Sequence, residues 1–307
     1  MCPTNISVSL SPFLFILLVA FCYECLPPLV SKLSMEERTR LIHFNQALKS
    51  LNLQLQCIAT FVNNDVDVAK WAYNIVHTRS FVSETDGERR MVPLADYFNH
   101  GSYANVALQY DEQGNAYATT TQDVQAGEPL RMQYSDPTNP SQILATYGFL
   151  DESSPATFCK IMHIKKSSEL ENLGLDFSRM LFYKDSGEIA EEVWDVMLYH
   201  VLSKNNNRGD RTTFYNAHMN GDWETKQAVH QQYFVQTASA LQKHVNDFLK
   251  EVDELLEKGM AKDPNEHPRI PLILAHNEFV RNTFWNVKNN LDPMVEQAKQ
   301  QSGQMMV

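Results

Sequence analysis

Glycine is scarce in this chain, 11 of 307 residues, and no G-x-G-x-x-G or G-x-x-x-x-G-K-[ST] arrangement occurs among them. Cradling a phosphate with backbone N–H groups needs such side-chain-free positions, so dinucleotide-binding and P-loop enzymes are excluded. No G-x-S-x-G exists either, which removes a hydrolase built on a nucleophile elbow. Positive charge is in the minority: 26 Lys and Arg stand against 37 Asp and Glu, a net charge of −11. With no local basic patch to offset it, a nucleic-acid partner is not expected. The five cysteines, Cys2, Cys22, Cys25, Cys57 and Cys159, are odd in number and widely spread, unlike a secreted disulfide framework. Cys22 and Cys25 form a C-x-x-C, but no second pair or His cluster follows at zinc-site spacing. They read as small apolar residues, and no metal is expected.

What is present begins with an apolar run. Residues 1–31 contain no Lys, Arg or Gly, and Pro12 opens FLFILLVAFC. About ten apolar residues suit a signal-peptide core better than a membrane span of about twenty. A positive leader and a small-residue cleavage site are lacking, so a signal or anchor, a buried helix and a replaced N-terminus stay open. Membrane association is expected only through residues 12–25. Leu41, Phe44, Leu48, Leu51 and Leu55 then recur at helical steps within residues 33–63, and Ser34 with Glu37 predicts a capping box there. Residues 65–81 read as a further helix with Arg79 near its end, where a cation suits the helix dipole.

The pattern changes at residue 91. VALQY (106–110) and AYATTT (116–121) are β-rich runs joined by DEQGN, a hairpin signature. A turn at Gln125–Ala126–Gly127 leads into LRMQY. Asn139 then predicts an N-cap, Pro140 a first helical residue, Gln142 a capping-box partner and Gly148 a stop. From residue 155 the chain reads as helical. Segments are expected over 188–203, 223–258 and 270–300, with a loop at 205–209.

The chemistry concentrates in MVPLADYFNH and GEPLRMQYSDPTNPSQILATYGFL, which place Asp96, Asn99, His100, Tyr134 and Tyr147 in one region. One His and one Asp are too few for a metal, leaving a polar pocket with aromatic walls. Taken singly, Tyr134 is a half-buried aromatic, Asn99 and His100 are loop residues, and Arg79 with Asp96 is an ion pair.

As an ordered set, ADYFNH, AGEPLRMQY and SQILATYGF resemble the C-terminal half of a SET domain, of the kind found in the Rubisco large-subunit lysine methyltransferase and its relatives. WAYNIVHTRSF resembles the segment that enters that half. Beyond about residue 156 the likeness is general, to the branch's helical substrate-binding domain. The resemblance implies an α+β fold: a truncated SET domain with short strands and a knot-like core over 32–155, then an all-helical substrate-binding domain over 156–307, behind an apolar segment, 1–31, of uncertain role. It implies S-adenosylmethionine as cofactor, held by Asn99 and His100 mainly through backbone groups and the Asn99 side chain, with Arg79 and Asp96 beside them. Tyr134 would sit at the point of methyl transfer, and Tyr147 would line the lysine channel. The partner implied is a protein substrate on the helical domain, the state a monomer, and the compartment cytosol, nucleus or plastid.

One departure stands out. Such a SET domain begins with a strand-rich, glycine-bearing segment that cradles the cofactor, and none is recognisable here. Two functions follow as expectations: a protein-lysine N-methyltransferase, or a SET-derived protein-binding module that has lost half of the cofactor pocket.

Overall fold

The structure, a computed structural model, describes residues 22–51, 66–83, 86–164, 167–175 and 177–304. Most of the apolar run at the start therefore lies outside the described residues, as does the second half of the helical segment expected over 33–63. Cys22 is buried at the start of a short 3₁₀ turn, Tyr23–Cys25. No helix among the described residues is long and apolar enough to cross a membrane.

Two compact units divide the chain: residues 1–153 with 262–272, and residues 154–261 with 273–307. The first begins with α1 (Pro28–Leu51) and α2 (Val66–Arg79). Helix α1 starts six residues before Ser34, so the expected capping box is wrong: Ser34 and Glu37 are interior residues of α1, both buried. Their S-x-x-E spacing equals that of one helical turn, which is why it imitates a cap.

Short strands follow: β1 (Ser80–Val82), β2 (Arg89–Met91), β3 (Asn99–His100), β4 (Val106–Tyr110), β5 (Ala116–Thr120) and β6 (Arg131–Met132). Among the described residues they form only two-stranded sheets. Strands β1 and β2 pair antiparallel, as do β4 and β5 from Val106↔Thr120 to Tyr110↔Ala116. The expected hairpin is therefore present, closed by Gly114 at φ 80° and by the Asp111 carboxylate, which accepts from the amides of Gln113 and Asn115. Strands β3 and β6 pair in parallel, Asn99↔Arg131 and His100↔Met132.

Helix α3 (Pro140–Tyr147) starts and stops as read. The Asn139 side chain accepts from Gln142 N at 3.1 Å, and Gly148 ends the helix at φ 74° with its N–H on Leu144 O. The reciprocal half of the box is absent, because the Gln142 amide donates instead to Thr146 Oγ1 at 2.7 Å.

The second unit is mainly helical, but it opens on a short antiparallel pair that the sequence reading misses, β7 (Ala156–Phe158) with β8 (Leu181–Tyr183). A five-residue helix, α4 (Ser168–Asn172), lies between them. Helices α5 (Glu191–Lys204), α6 (Arg208–Asn220), α7 (Trp223–Gln232), α8 (Phe234–Met260) and α9 (Ile270–Gln304) follow. The expected single helix over 223–258 is broken at Tyr233, whose backbone leaves the helical region at φ −105°, ψ 10°. Its hydroxyl is bonded to the Asp210 carboxylate and the Asn207 amide, which anchors the break to the start of α6. Helix α8 buries Leu241, Val245, Phe248, Val252 and Leu255 at three- and four-residue steps. Phe248 packs tilted against Phe284, and Phe284 edge-to-face against Phe182, with ring centroids 4.2 and 4.9 Å apart. Each such fully buried ring contributes about 1.5–3 kcal/mol.

Imidazoles mark the same unit. His276 is fully buried, and burial together with the Lys160 charge pushes it down to about 3. Burial also lowers His244 and His200, with the neighbouring His163 adding to it in both. The unfolded chain therefore takes up protons first, near pH 6.5, while the folded chain resists until well below. The share of this unit's stability that depends on these imidazoles is full above about pH 6.5 and falls as pH drops from there towards the folded values. Thermal midpoints measured from pH 8 to pH 4.5 should decline on the acid side, and His276→Gln should flatten that decline.

Candidate functional site

The site is built from the parallel pairing of β3 with β6, which brings together residues about thirty positions apart in the chain. Asn105 braces it with a buried amide: Oδ1 accepts from Arg131 N at 2.8 Å and Nδ2 donates to Pro129 O at 3.1 Å. The Arg131 guanidinium donates to His100 O at 3.0 Å. Its aliphatic stem passes so close to Gly101 that a Cβ there would stand 2.7 Å from Arg131 Cδ and force the Arg131 side chain to shift.

Two residues past β6, Tyr134 meets His100. Tyr134 N–H donates to His100 Nδ1 at 3.1 Å, which leaves the ring proton on Nε2. That nitrogen donates to Asp151 Oδ2 at 3.0 Å, and Ser102 Oγ donates to the same oxygen at 2.5 Å. Burial alone would raise the Asp151 carboxyl, but the hydrogen bonds from Ser102 and Ser153 and the His100 side chain outweigh it and hold it below the usual range. The His100 ring is therefore a clamp on the backbone of Tyr134 and not a free base.

Aromatic rings gather around this clamp. Tyr134 lies 5.4 Å from His100, 5.2 Å from Tyr147 and 6.5 Å from Phe149, centroid to centroid. Tyr134 Oη donates to Phe98 O at 2.6 Å, and Tyr147 Oη donates to Tyr134 O at 3.2 Å. Burial raises both phenols, so both stay protonated at neutral pH. Phe98 O is presented by a 3₁₀ turn, Ala95–Tyr97, that follows Leu94 in the left-handed region at φ 71°. For a non-glycine residue this conformation costs about 1–3 kcal/mol.

A cavity of about 1000 Å³ opens beside these rings, and Arg79, Arg89, Asp96, Met132, Tyr134 and Tyr147 are among its lining residues. The expected pair of Arg79 and Asp96 takes another form: Arg79 Nη1 donates to the backbone carbonyl of Asp96 at 2.7 Å, not to its carboxylate. Of the six residues singled out from sequence, Arg79, Asp96, Tyr134 and Tyr147 line the cavity. His100 lies behind Tyr134, and Asn99 is exposed on β3 and is not among the lining residues. Sequence reasoning missed Asp151, Phe149 and Arg89. Asp151 had a local signal, because D-E-S-S is an Asx-turn pattern and its Oδ1 accepts from Ser153 N at 3.0 Å. Among the described residues, no three His, Cys, Asp or Glu side chains are placed to share a metal ion.

The clamp has a measurable worth. Asp151→Ala leaves a buried N–H without an acceptor and should destabilise this unit by about 1–3 kcal/mol in denaturant unfolding. Asp151→Asn, which keeps a carbonyl acceptor, should retain most of that.

No family model matches the chain, and none of the curated proteins does. Solved structures do. The SET domain of LSMT bound to lysine and AdoHcy is 15% identical, with a TM-score of 0.56 over 91% of this chain and 67% of that one. Rubisco LSMT bound to sinefungin and monomethyllysine is 15% identical, with a TM-score of 0.53 over 91% of this chain and 66% of that one. A further SET domain of LSMT, bound to MeLysine and AdoHcy, gives 14% and 0.52 over 97% of this chain and 70% of that one. The chain thus spans about two thirds of the length of each. At this identity the likeness concerns architecture, and on that ground the chain has the α+β fold of the Rubisco LSMT SET-domain structures.

Proposed function

We propose that this chain is an S-adenosylmethionine-dependent protein-lysine N-methyltransferase. The observation that carries the reading is the convergence of Tyr134, Tyr147, Arg79 and Asp96 on one cavity, in a fold whose solved examples hold lysine or a methylated lysine with AdoHcy or sinefungin.

The cavity fits such a cofactor in size and chemistry. About 1000 Å³ is at the upper end of small-molecule sites. Its lining offers a guanidinium for a carboxylate, an acid for an ammonium or hydroxyl, and aromatic faces for a sulfonium. When bound, the cofactor supplies a methyl group on a positively charged sulfur. The attacking lysine amine must be neutral, and this chain favours that form in two ways. Aromatic walls desolvate the ammonium, and the Arg79 and Arg89 charges at the same cavity repel it. Tyr134 Oη spends its one proton on Phe98 O, so its lone pairs are left to accept contacts from an electron-poor methyl or to orient the amine. Tyr147, tied to the backbone of Tyr134, holds the second wall in place. Holding nitrogen, carbon and sulfur in line is the main contribution asked of the site. The helical unit would present the protein substrate, with the chain acting as a monomer.

One observation favours the second reading, a protein-binding module. Asn99 and His100, two of the residues assigned to the cofactor, are not among the cavity's lining residues.

Calorimetric titration with S-adenosylmethionine separates the two: saturable binding to folded protein is expected, and its absence would leave the module. In labelled-methyl transfer to cell-extract proteins, Tyr134→Phe should bind cofactor normally yet transfer about a hundredfold more slowly. Equal labelling by both proteins would reject the role of that hydroxyl.

A further inference from the structure

Behind the cavity lies a buried carboxylate that the reaction described above does not use. Glu37, in the interior of α1, is 5% exposed. Its Oε1 accepts from Arg40 Nη1 at 2.8 Å and stands 3.5 Å from Thr146 Oγ1, while Oε2 lies 3.0 Å from His77 Nε2. Burial pushes this carboxyl up, but the adjacent His77 ring, Arg40 and Thr146 together bring it below its usual value, so it is ionised at neutral pH.

The partners come from different helices. His77 is in the last turn of α2, two residues before Arg79. Thr146 is in the last turn of α3, adjacent to Tyr147, and its hydroxyl is turned towards Glu37 while it accepts from Gln142 Nε2 at 2.7 Å. The His77 ring is itself stacked on Tyr73 at 5.4 Å, and Tyr73 packs at a tilt against Phe44 of α1 at 5.2 Å. One carboxylate thus meets the ends of both helices that deliver side chains to the cavity, without lining the cavity itself. A buried ion is seldom a net gain in stability over apolar packing, and its best-attested use is to fix register between elements.

We propose that Glu37 is a positioning residue: by tying the C-terminal turns of α2 and α3 to α1, it sets the placement of Arg79 and Tyr147 in the cavity. The inference rests on the methyltransferase reading for its kinetic consequence, and on geometry alone for its structural one.

The full chain is compared with Glu37→Gln, Glu37→Asp and, as a control matched for lost thermal stability, Val30→Ala, which trims a buried residue of the same helix. Glu37→Gln should lower kcat/KM for methyl transfer about tenfold with cofactor affinity little changed, because misplacement far from the chemistry acts on geometry. Glu37→Asp should recover part of that loss, and Val30→Ala should show none of it. Wild-type kcat/KM in Glu37→Gln, or an equal loss in Val30→Ala, would overturn the proposal. If the wild type binds no S-adenosylmethionine, the functional reading fails separately, and amide exchange still tests Glu37. Glu37→Gln should then speed exchange in residues 76–80 and 143–148 several-fold while leaving the β4–β5 hairpin unchanged. Unchanged exchange at both helix ends would sink it.

Discussion

A two-residue parallel pairing, Asn99–His100 alongside Arg131–Met132, is the constraint on which the candidate site depends. Parallel strands cannot be joined by a tight turn, so the chain between them must leave and return, and here that excursion is the β4–β5 hairpin. So short a pairing has little hydrogen-bond energy of its own. Side chains make up the difference: Asn105 substitutes for missing ladder partners, and Arg131 caps the His100 carbonyl. His100 then reaches across to the backbone of Tyr134. Removing water from these polar groups is unfavourable unless each finds a partner, and the network supplies one at every step.

How much of this is legible in the sequence depends on whether the signal is local. The β4–β5 hairpin and the two ends of α3 were readable because a turn or a cap is specified by neighbours in the chain: Asp111 and Gly114 in one case, Asn139, Pro140 and Gly148 in the other. The same local logic failed at Ser34 and Glu37, where a spacing shared by caps and helix faces concealed a buried carboxylate that serves two other helices. It failed again at Tyr233, because the hydroxyl that anchors the helix break bonds to residues more than twenty positions earlier. The nominated residues Tyr134 and Tyr147 do meet, yet the residues that hold them, Asp151 and Phe149, carry no signal beyond a turn pattern and a hydrophobic position. Contacts made across the fold leave no period in the sequence to detect.

Buried charge is handled in a consistent way in both units. Glu37 is met by Arg40 and His77, and Asp195 of α5 by Lys226 and His230, each at hydrogen-bonding distance. In both, burial opposes ionisation and the partners overcome it, so the carboxylates stay charged. Such groups favour one arrangement of helices over its near alternatives, because a slipped register would leave an ion unmatched in a dry interior.

The strands of the first unit occur only as isolated pairs among the described residues. A lone hairpin is barely self-supporting in water, whereas α8 buries a full apolar stripe along seven turns. The two units should therefore differ in the depth of their energy wells. The wall that carries the tyrosines should then open by fraying pair by pair and the helical unit in larger cooperative steps, so the lining of the cavity would be the least costly part of the molecule to part.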